Sequence, residues 1–397
     1  MSVLSEDRSS VETTVVPVIL AVTVGHGLND LMQSLIPAVY PLLKDNLALT
    51  FTQIGLITLV FQGTASILQP LVGLYTDRRP LPYALAAGMA STGAGLILLA
   101  HAGSLLAVLL SVALIGLGSS IFHPESSRIA RLAAGMRPGF AQSLFQVGGN
   151  VGTAIGPLAA AFIVLPRGQI SIEWFSGVAA LGMALLWLVG RWYVAEGAAR
   201  ATLRKARAAA EAPPARIVRL GMAVLILLMT AKFVYTVSFS SYYTFWLIDR
   251  FGLSAGQAQV ALFVFLAATA AGTILGGPIG DRIGRRRVIL WSVLGILPLS
   301  LAAPYLPLVP NVIVASLAGL ILASAFPAMV VYAQDLMPRH TGMVAGLLFG
   351  LAFGTAAIGA AVLGLVADLQ GIHFVYQICA VLPALGLVGF LLPDLRR

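Results

Sequence analysis

His26, Asn29, Asp30 and Gln33 stand at i, i+3, i+4 and i+7 in a stretch, residues 15–40, that is otherwise almost wholly apolar. On a helix that spacing puts all four on one face. An imidazole and a carboxylate can take up and release a proton, and the amides can hydrogen-bond a polar solute. Asp30 lies near the middle of the stretch. An ionised side chain at the centre of a bilayer costs about 2.5–3.5 kcal/mol, so such a residue faces a bundle interior or a watery cavity. A helix–helix hydrogen bond is the plainer reading, but four polar residues exceed what one packing bond needs. Lys232 is the basic residue deep inside another apolar run. About 15 residues, or ~22 Å of helix, separate it from either end, too far for snorkelling. GLYTDR (73–78) and GPIGDR (277–282) share the pattern G-x-x-x-D-R, with Asp77 and Asp281 204 residues apart. The same offset maps Lys232 onto position 28, at the depth of Asp30. The two charges are therefore expected to look into one cavity, with a purely structural pair as the alternative.

Further polar stripes suggest the rest of a lining. Thr58, Gln62, Ser66 and Gln69 form one; Gln142, Gln146, Asn150 and Thr153 form another. Tyr242 and Tyr243 could hydrogen-bond or stack on a solute. The candidate substrate and proton site is thus Asp30, His26, Asn29, Lys232, Gln62, Gln146, Asn150, Tyr242 and Tyr243, set against interhelical bonding for each stripe. FHPESSRIAR (122–131) places His123 and Glu125 near the cytoplasmic end of its span. Two potential ligands without a third make a weak zinc site, and no metal is expected. A gating network is preferred, in which Glu125 and Arg128 engage the Asp77-Arg78 loop, with Asp281-Arg282 serving the other half; a proton relay is the minor alternative. Gly148, Gly152 and Gly156 are four apart, as are Gly342, Gly346, Gly350 and Gly354. Such small faces allow close helix approach, and Pro157 could set a bend.

The elements that position these residues follow from composition. Of 397 residues, 59% are hydrophobic and 10% charged, against about 25% charged in soluble domains. Apolar runs long enough to cross ~30 Å of hydrocarbon recur throughout. The chain reads as an all-α membrane protein with twelve spans near 15–40, 51–75, 82–101, 104–127, 139–165, 173–195, 217–247, 255–280, 288–306, 310–333, 341–366 and 373–392. The opening MSVLSEDRSS has acids where a signal peptide would be basic, so the first span is read as uncleaved. With the N-terminus in the cytoplasm, 20 of the 24 Lys and Arg fall on the cytoplasmic side, three (Lys44, Arg167, Arg250) fall outside, and Lys232 lies within a span. That asymmetry places both termini in the cytoplasm and explains the net charge of +9 without nucleic acid. Residues 196–216, rich in Ala and Arg, form a cytoplasmic linker between an N-terminal six-helix bundle (1–195) and a C-terminal one (217–397). Parallel six-helix repeats are a transporter architecture with a midplane site. A lone cysteine excludes an internal disulfide, and the absence of a G-x-x-x-x-G-K-[ST] loop argues against ATP hydrolysis.

Over its full length the sequence resembles the major facilitator superfamily. The paired G-x-x-x-D-R loops are similar to its cytoplasmic loop motif, although Arg79-Pro80-Leu81 departs from it in the first copy. QVGGNVGTAIGPLAA (146–160) resembles the Gly-Pro signature of the antiporter branch, with Ala160-Ala161 where two glycines are usual. LNDLMQSLIPAVYPLLK, LTFTQIGLITLVFQ, GSSIFHPESSRIAR and QSLFQVGGN are similar to the fosmidomycin-resistance group of efflux proteins. The resemblance implies two pseudo-symmetric six-helix bundles in the inner membrane. It also implies a secondary active transporter, not an enzyme, that exports a toxic small molecule by alternating access. Fosmidomycin-like or other amphiphilic or anionic compounds are the implied cargo, the proton is the coupling ion, no other cofactor is expected, and a monomer suffices. Two alternatives stay open: proton-coupled uptake of an organic acid or sugar, and an integral-membrane enzyme or sensor.

Overall fold

A computed structural model describes residues 13–49, 51–202, 213–253 and 255–395. Arg8, Arg204, Lys205, Arg207, Arg396 and Arg397 of the charge distribution, and residues 203–212 of the linker, lie outside them. Among the described residues no strand occurs. The helices are α1 (Val16–Ala38), α2 (Tyr40–Leu47), α3 (Phe51–Arg78), α4 (Ala84–Ala100), α5 (Leu105–Ala133), α6 (Pro138–Ala159), α7 (Phe175–Trp192), α8 (Ala215–Phe251), α9 (Ala255–Ile283), α10 (Arg285–Leu294), α11 (Leu297–Ala302), α12 (Leu308–Ala323), α13 (Ala325–Leu336), α14 (Thr341–Gln370) and α15 (Ile372–Val381). Each of the twelve expected spans falls on this series; α10–α11, α12–α13, and α15 with the 3-10 turns of Leu382–Leu391, each make one span. In hydrocarbon every backbone N–H and C=O must be satisfied within the segment, which is why apolar sequence becomes helix here.

Nine helical stretches among the described residues are long and apolar enough to cross a membrane. Absent from that set are α4, which has 17 residues, and α1 and α6, which carry the polar stripes. Leu59, Ile67, Phe162 and Ile358 are exposed to the surroundings. Exposed apolar side chains beside buried polar ones, such as His26, Asn29, Gln69, Glu125 and Lys232, are a pattern suited to lipid.

The chain divides into two compact units, Met1–Ala212 with Pro338–Gly350, and Pro213–Met337 with Leu351–Arg397. In the first unit α1 lies along α6, α5 packs against α3 and α4, and α4 packs against α7. The seam between α1 and α6 is backbone against backbone. A Cβ at Gly148 or Gly152 would overlap the carbonyl oxygens of Thr23 and Gly27 respectively. A Cβ at Gly156 would instead overlap the side-chain hydroxyl of Ser34; the side chain of Pro157 lies outside the described ones.

The first turns of α14 group with the first unit for a related reason. Gly342 and Gly346 sit directly on the α3 backbone at Gly73 and Gln69. In the second unit α9 packs on α12, α10 on α13, and α8 on both α9 and the Leu382–Leu391 turns. The linker begins as a helical continuation of α7 through a wide turn at Tyr193–Gly197, and Arg200 donates to the Thr13 carbonyl at 3.0 Å.

Candidate functional site

The α1–α6 seam decides the chemistry of the first unit. Because Gly148 and Gly152 let the two backbones touch, the side chains of His26 and Asp30 are pressed against Gly149. A Cβ there would stand 2.5 Å from His26 Cε1, 2.6 Å from His26 Nε2 and 2.8 Å from Asp30 Oδ2. His26 stacks on Phe145 with ring centroids 4.0 Å apart, and its Nδ1 lies 2.7 Å from the Phe145 carbonyl oxygen. A carbonyl only accepts, so that nitrogen carries a hydrogen. The other nitrogen, Nε2, points at Asp30 Oδ2 at 3.3 Å.

A third residue joins them. His123 on α5 brings Nε2 to 3.5 Å from Asp30 Oδ1. Its Nδ1 is 3.0 Å from the Ser119 carbonyl oxygen and 3.2 Å from the Ser119 hydroxyl. Asn29 donates from Nδ2 to Asp30 Oδ1 at 3.0 Å. Phe122, Phe145 and Phe349 wall the two imidazoles. His26 and His123 are 3% and 1% exposed, whereas Asp30 keeps 16%, so the carboxylate is the most accessible of the three.

The sequence reading put His123 at the cytoplasmic edge. Instead α5 continues well past the apolar run, to Ala133, which leaves residue 123 inside the bundle. The helical repeat Ser119-x-x-x-His123, a hydroxyl and carbonyl one turn before a buried histidine, was the available signal.

The ligand atoms of His26, Asp30 and His123 lie within 4.8 Å of one another, near enough to suggest a metal. Each imidazole addresses its own oxygen, Oδ2 from His26 and Oδ1 from His123, so the carboxylate stands between the rings. The two imidazoles thus bracket one carboxylate.

Other expected lining residues divide. Asn29 Oδ1, Gln33 Nε2 and Gln146 Oε1 are buried polar atoms with no protein partner among the described residues. Gln69 is fully buried on α3 with both amide atoms in the same state. Gln62 is half-buried, Asn150 is exposed, and Gln142 accepts from Ser127 at 3.0 Å. Thr58 meets the Tyr40 hydroxyl at 2.9 Å.

In the second unit Lys232 is 6% exposed. Its Nζ lies 4.3 Å from the Phe233 ring centre and 5.3 Å from that of Phe326. Both faces are cation–π partners. Tyr243 donates to Asn311 Oδ1 at 2.6 Å and sits among Phe239, Trp246, Phe265 and Tyr376, so it fixes the unit's core where a lining role had been expected. Tyr242 packs against the cluster of Val237, Leu363, Val375 and Cys379.

The gating candidates also have definite partners. Asp77, at the end of α3, accepts from the backbone N–H groups of Gly342 at 3.1 Å and Met343 at 2.9 Å. It thereby caps the N-terminus of α14, where a negative charge is favoured. Glu125 forms a forked ion pair with Arg128, three residues on along α5, and Arg128 Nη1 reaches the Tyr193 hydroxyl at 3.3 Å. Arg78 is exposed. In the second unit Asp281 pairs with Arg285 at 3.4 Å, and Arg285 reaches Asp335 at 2.5 Å, while Arg282 is exposed. Arg285 and Asp335 were not anticipated; an acid just before Met337-Pro338 and an arginine just after Gly284 are unremarkable in the sequence alone.

Among the described residues, long apolar helices with an apolar exterior and buried polar side chains are the pattern of a polytopic membrane protein. The chain belongs to the Major Facilitator Superfamily: that family's description matches residues 22–254 and 224–397. It is 51% identical to the fosmidomycin resistance protein of Escherichia coli (strain K12) over 377 residues, 95% of this chain and 93% of that one. It is 43% identical to the uncharacterized MFS-type transporter YfnC of Bacillus subtilis (strain 168), over 96% and 94% of the two chains. The solved structure of the superfamily transporter FucP in the outward conformation shares the fold, with a TM-score of 0.74 at 16% identity over 95% of this chain and 98% of that one. The protein is thus a twelve-helix, multi-pass transporter whose setting is the bilayer and whose cargo is a small molecule.

Proposed function

We propose that this chain is a proton-driven exporter of toxic small molecules, of the fosmidomycin-like or a related amphiphilic or anionic kind, working by alternating access in the inner membrane with both termini in the cytoplasm. The observation that carries the coupling is the buried His26–Asp30–His123 chain. With Nδ1 of each ring donating to a carbonyl, a neutral imidazole would turn a bare nitrogen lone pair toward a carboxylate oxygen. Such a contact is stabilised when a proton sits in it. A proton entering from outside fills the contact, and its release inward empties it. The direction of transport is supported by the 51% identity to a resistance protein.

Lys232, buried against two aromatic rings, supplies positive potential for an acidic group on the cargo. An anion leaving a negative-inside cell gains ~2.3 kcal/mol per charge per 100 mV, so the potential assists export. The partners required are the solute, protons and lipid, and one chain suffices.

The test is growth of a pump-deficient host on a panel of toxic compounds that includes fosmidomycin. The intact chain should protect, and Asp30→Asn and Lys232→Met should each lower the tolerated concentration by about tenfold at equal expression. Both variants protecting as well as the parent would overturn the site assignment. Uptake of the protective compound by everted vesicles, driven by acidifying their lumen, gives the direction.

A further inference from the structure

We infer that the chain of His26, Asp30 and His123 seats two protons, one on each imidazole flanking the Asp30 carboxylate, with His123 as the second proton carrier. The inference rests on the proposed proton coupling and adds its count. The two contacts are built alike. His26 Nδ1 is held at 2.7 Å by the Phe145 carbonyl and His123 Nδ1 at 3.0 Å by the Ser119 carbonyl. A carbonyl only accepts, so each calls for a hydrogen on Nδ1, with the Ser119 hydroxyl at 3.2 Å as a second acceptor at His123, and a ring in that tautomer leaves Nε2 without a hydrogen when neutral. Each Nε2 then faces a different oxygen of one carboxylate, at 3.3 and 3.5 Å. A single proton can satisfy one of these contacts; the other would set a nitrogen lone pair against an oxygen lone pair. Two protons satisfy both, and one carboxylate between two imidazolium ions carries a net charge of +1. The singly occupied chain is neutral and the empty one carries −1. Each filling forms one N–H bond at Nε2 at the expense of one hydronium ion, and each release reverses it.

On α5, Glu125 and Arg128 hold each other, with Tyr193 on Arg128. Arg131 follows one turn further along the same helix. Across the seam, α6 contributes Phe145 and Gly149, and its sequence from Pro138 to Ala159 contains no ionisable residue. From α14, Phe349 packs on His123, and residues 341–350 are likewise without charge. From α7, Leu186 covers Gly25. Asn29 fixes Oδ1 by a hydrogen bond that does not titrate.

The test needs no transported compound, so it can fail while the export reading stands, and the reverse. Ring-15N-histidine protein in lipid nanodiscs is followed by NMR from about pH 5 to 10, a range that brackets ordinary imidazole titration. His123→Gln and His26→Gln identify the two signals among five histidines. Both rings should pass from imidazolium to the neutral Nδ1–H form, and Asp30→Asn should shift both transitions together. Protons released over that range should fall by one per molecule in His123→Gln. Should that variant not fold, the His123 signal is identified by elimination with His26→Gln, His101→Gln, His340→Gln and His373→Gln, and its response to Asp30→Asn decides. A His123 signal that stays in one form throughout, settles as the Nε2–H tautomer, or ignores Asp30→Asn overturns the inference.

Discussion

The Asp30 carboxylate owes its neighbours to a residue without a side chain. Gly149 lies so near His26 and Asp30 that a methyl group there would stand 2.5–2.8 Å from atoms of both. Overpacking of this kind costs about 1–3 kcal/mol, relieved here by pushing the imidazole or the carboxylate out of line. Gly149→Ala should therefore lower the transport rate by about tenfold or more. Gly63→Ala on α3, whose Cβ would meet nothing within 4 Å, should leave it unchanged. Rates in proteoliposomes, normalised to protein inserted, check the pair. At this scale the sequence was half legible. One helical period placed His26 beside Asp30, because neighbours one turn apart share a face whatever else happens. His123 comes from another helix, and no periodicity within one segment can report where two segments cross.

Among helices, small residues decide the crossings. The α1–α6 seam forms where glycine removes the side chain that would hold two backbones apart, and without a hydrophobic drive between helices in lipid such contact is a main source of cohesion. Gly152→Ala places a methyl group against the Gly27 carbonyl and should lower the melting temperature by several degrees. Gly354→Ala, with open space around its Cβ, should not; a thermal scan in detergent compares them. The α14 terminus is a second such element. Asp77→Ala removes both acceptor contacts to Gly342 and Met343, a loss of about 0.5–2 kcal/mol by the usual cap scale. Amide exchange at Gly342 and Met343 should speed up by up to about thirtyfold, and by less in Asp77→Asn, which keeps one acceptor. The Asp77-Arg78 motif was visible as a motif, and a cytoplasmic position is what the charge pattern leads one to expect. Its partner was not visible, since the bonds join residues 265 and 266 apart in the chain.

For the whole molecule, the distribution of Lys and Arg is the strongest signal of orientation. A fluorescent protein that matures only in the cytoplasm, fused after Arg397 or inserted in the 203–212 segment, should be bright. Alkaline phosphatase, active only outside, should be inactive at both places and active when inserted at Gly168 between α6 and α7. The reverse pattern would invert the topology. What the sequence by itself determined was the class of solvent, the number of spans, the division of the polar stripes among helices and the expected orientation. Lipid imposes those requirements segment by segment, through apolar length, internal hydrogen bonding and flanking charge, so each can be read along one dimension. Only the tertiary structure decided which polar groups meet. It set His123 against Asp30, bound Asp77 to the first turn of α14, and turned Tyr243 to Asn311, 68 residues away, as part of a core. Those pairings depend on the rotation and depth at which separate helices cross, and these are fixed by glycine contacts and side-chain volumes from distant parts of the chain acting together.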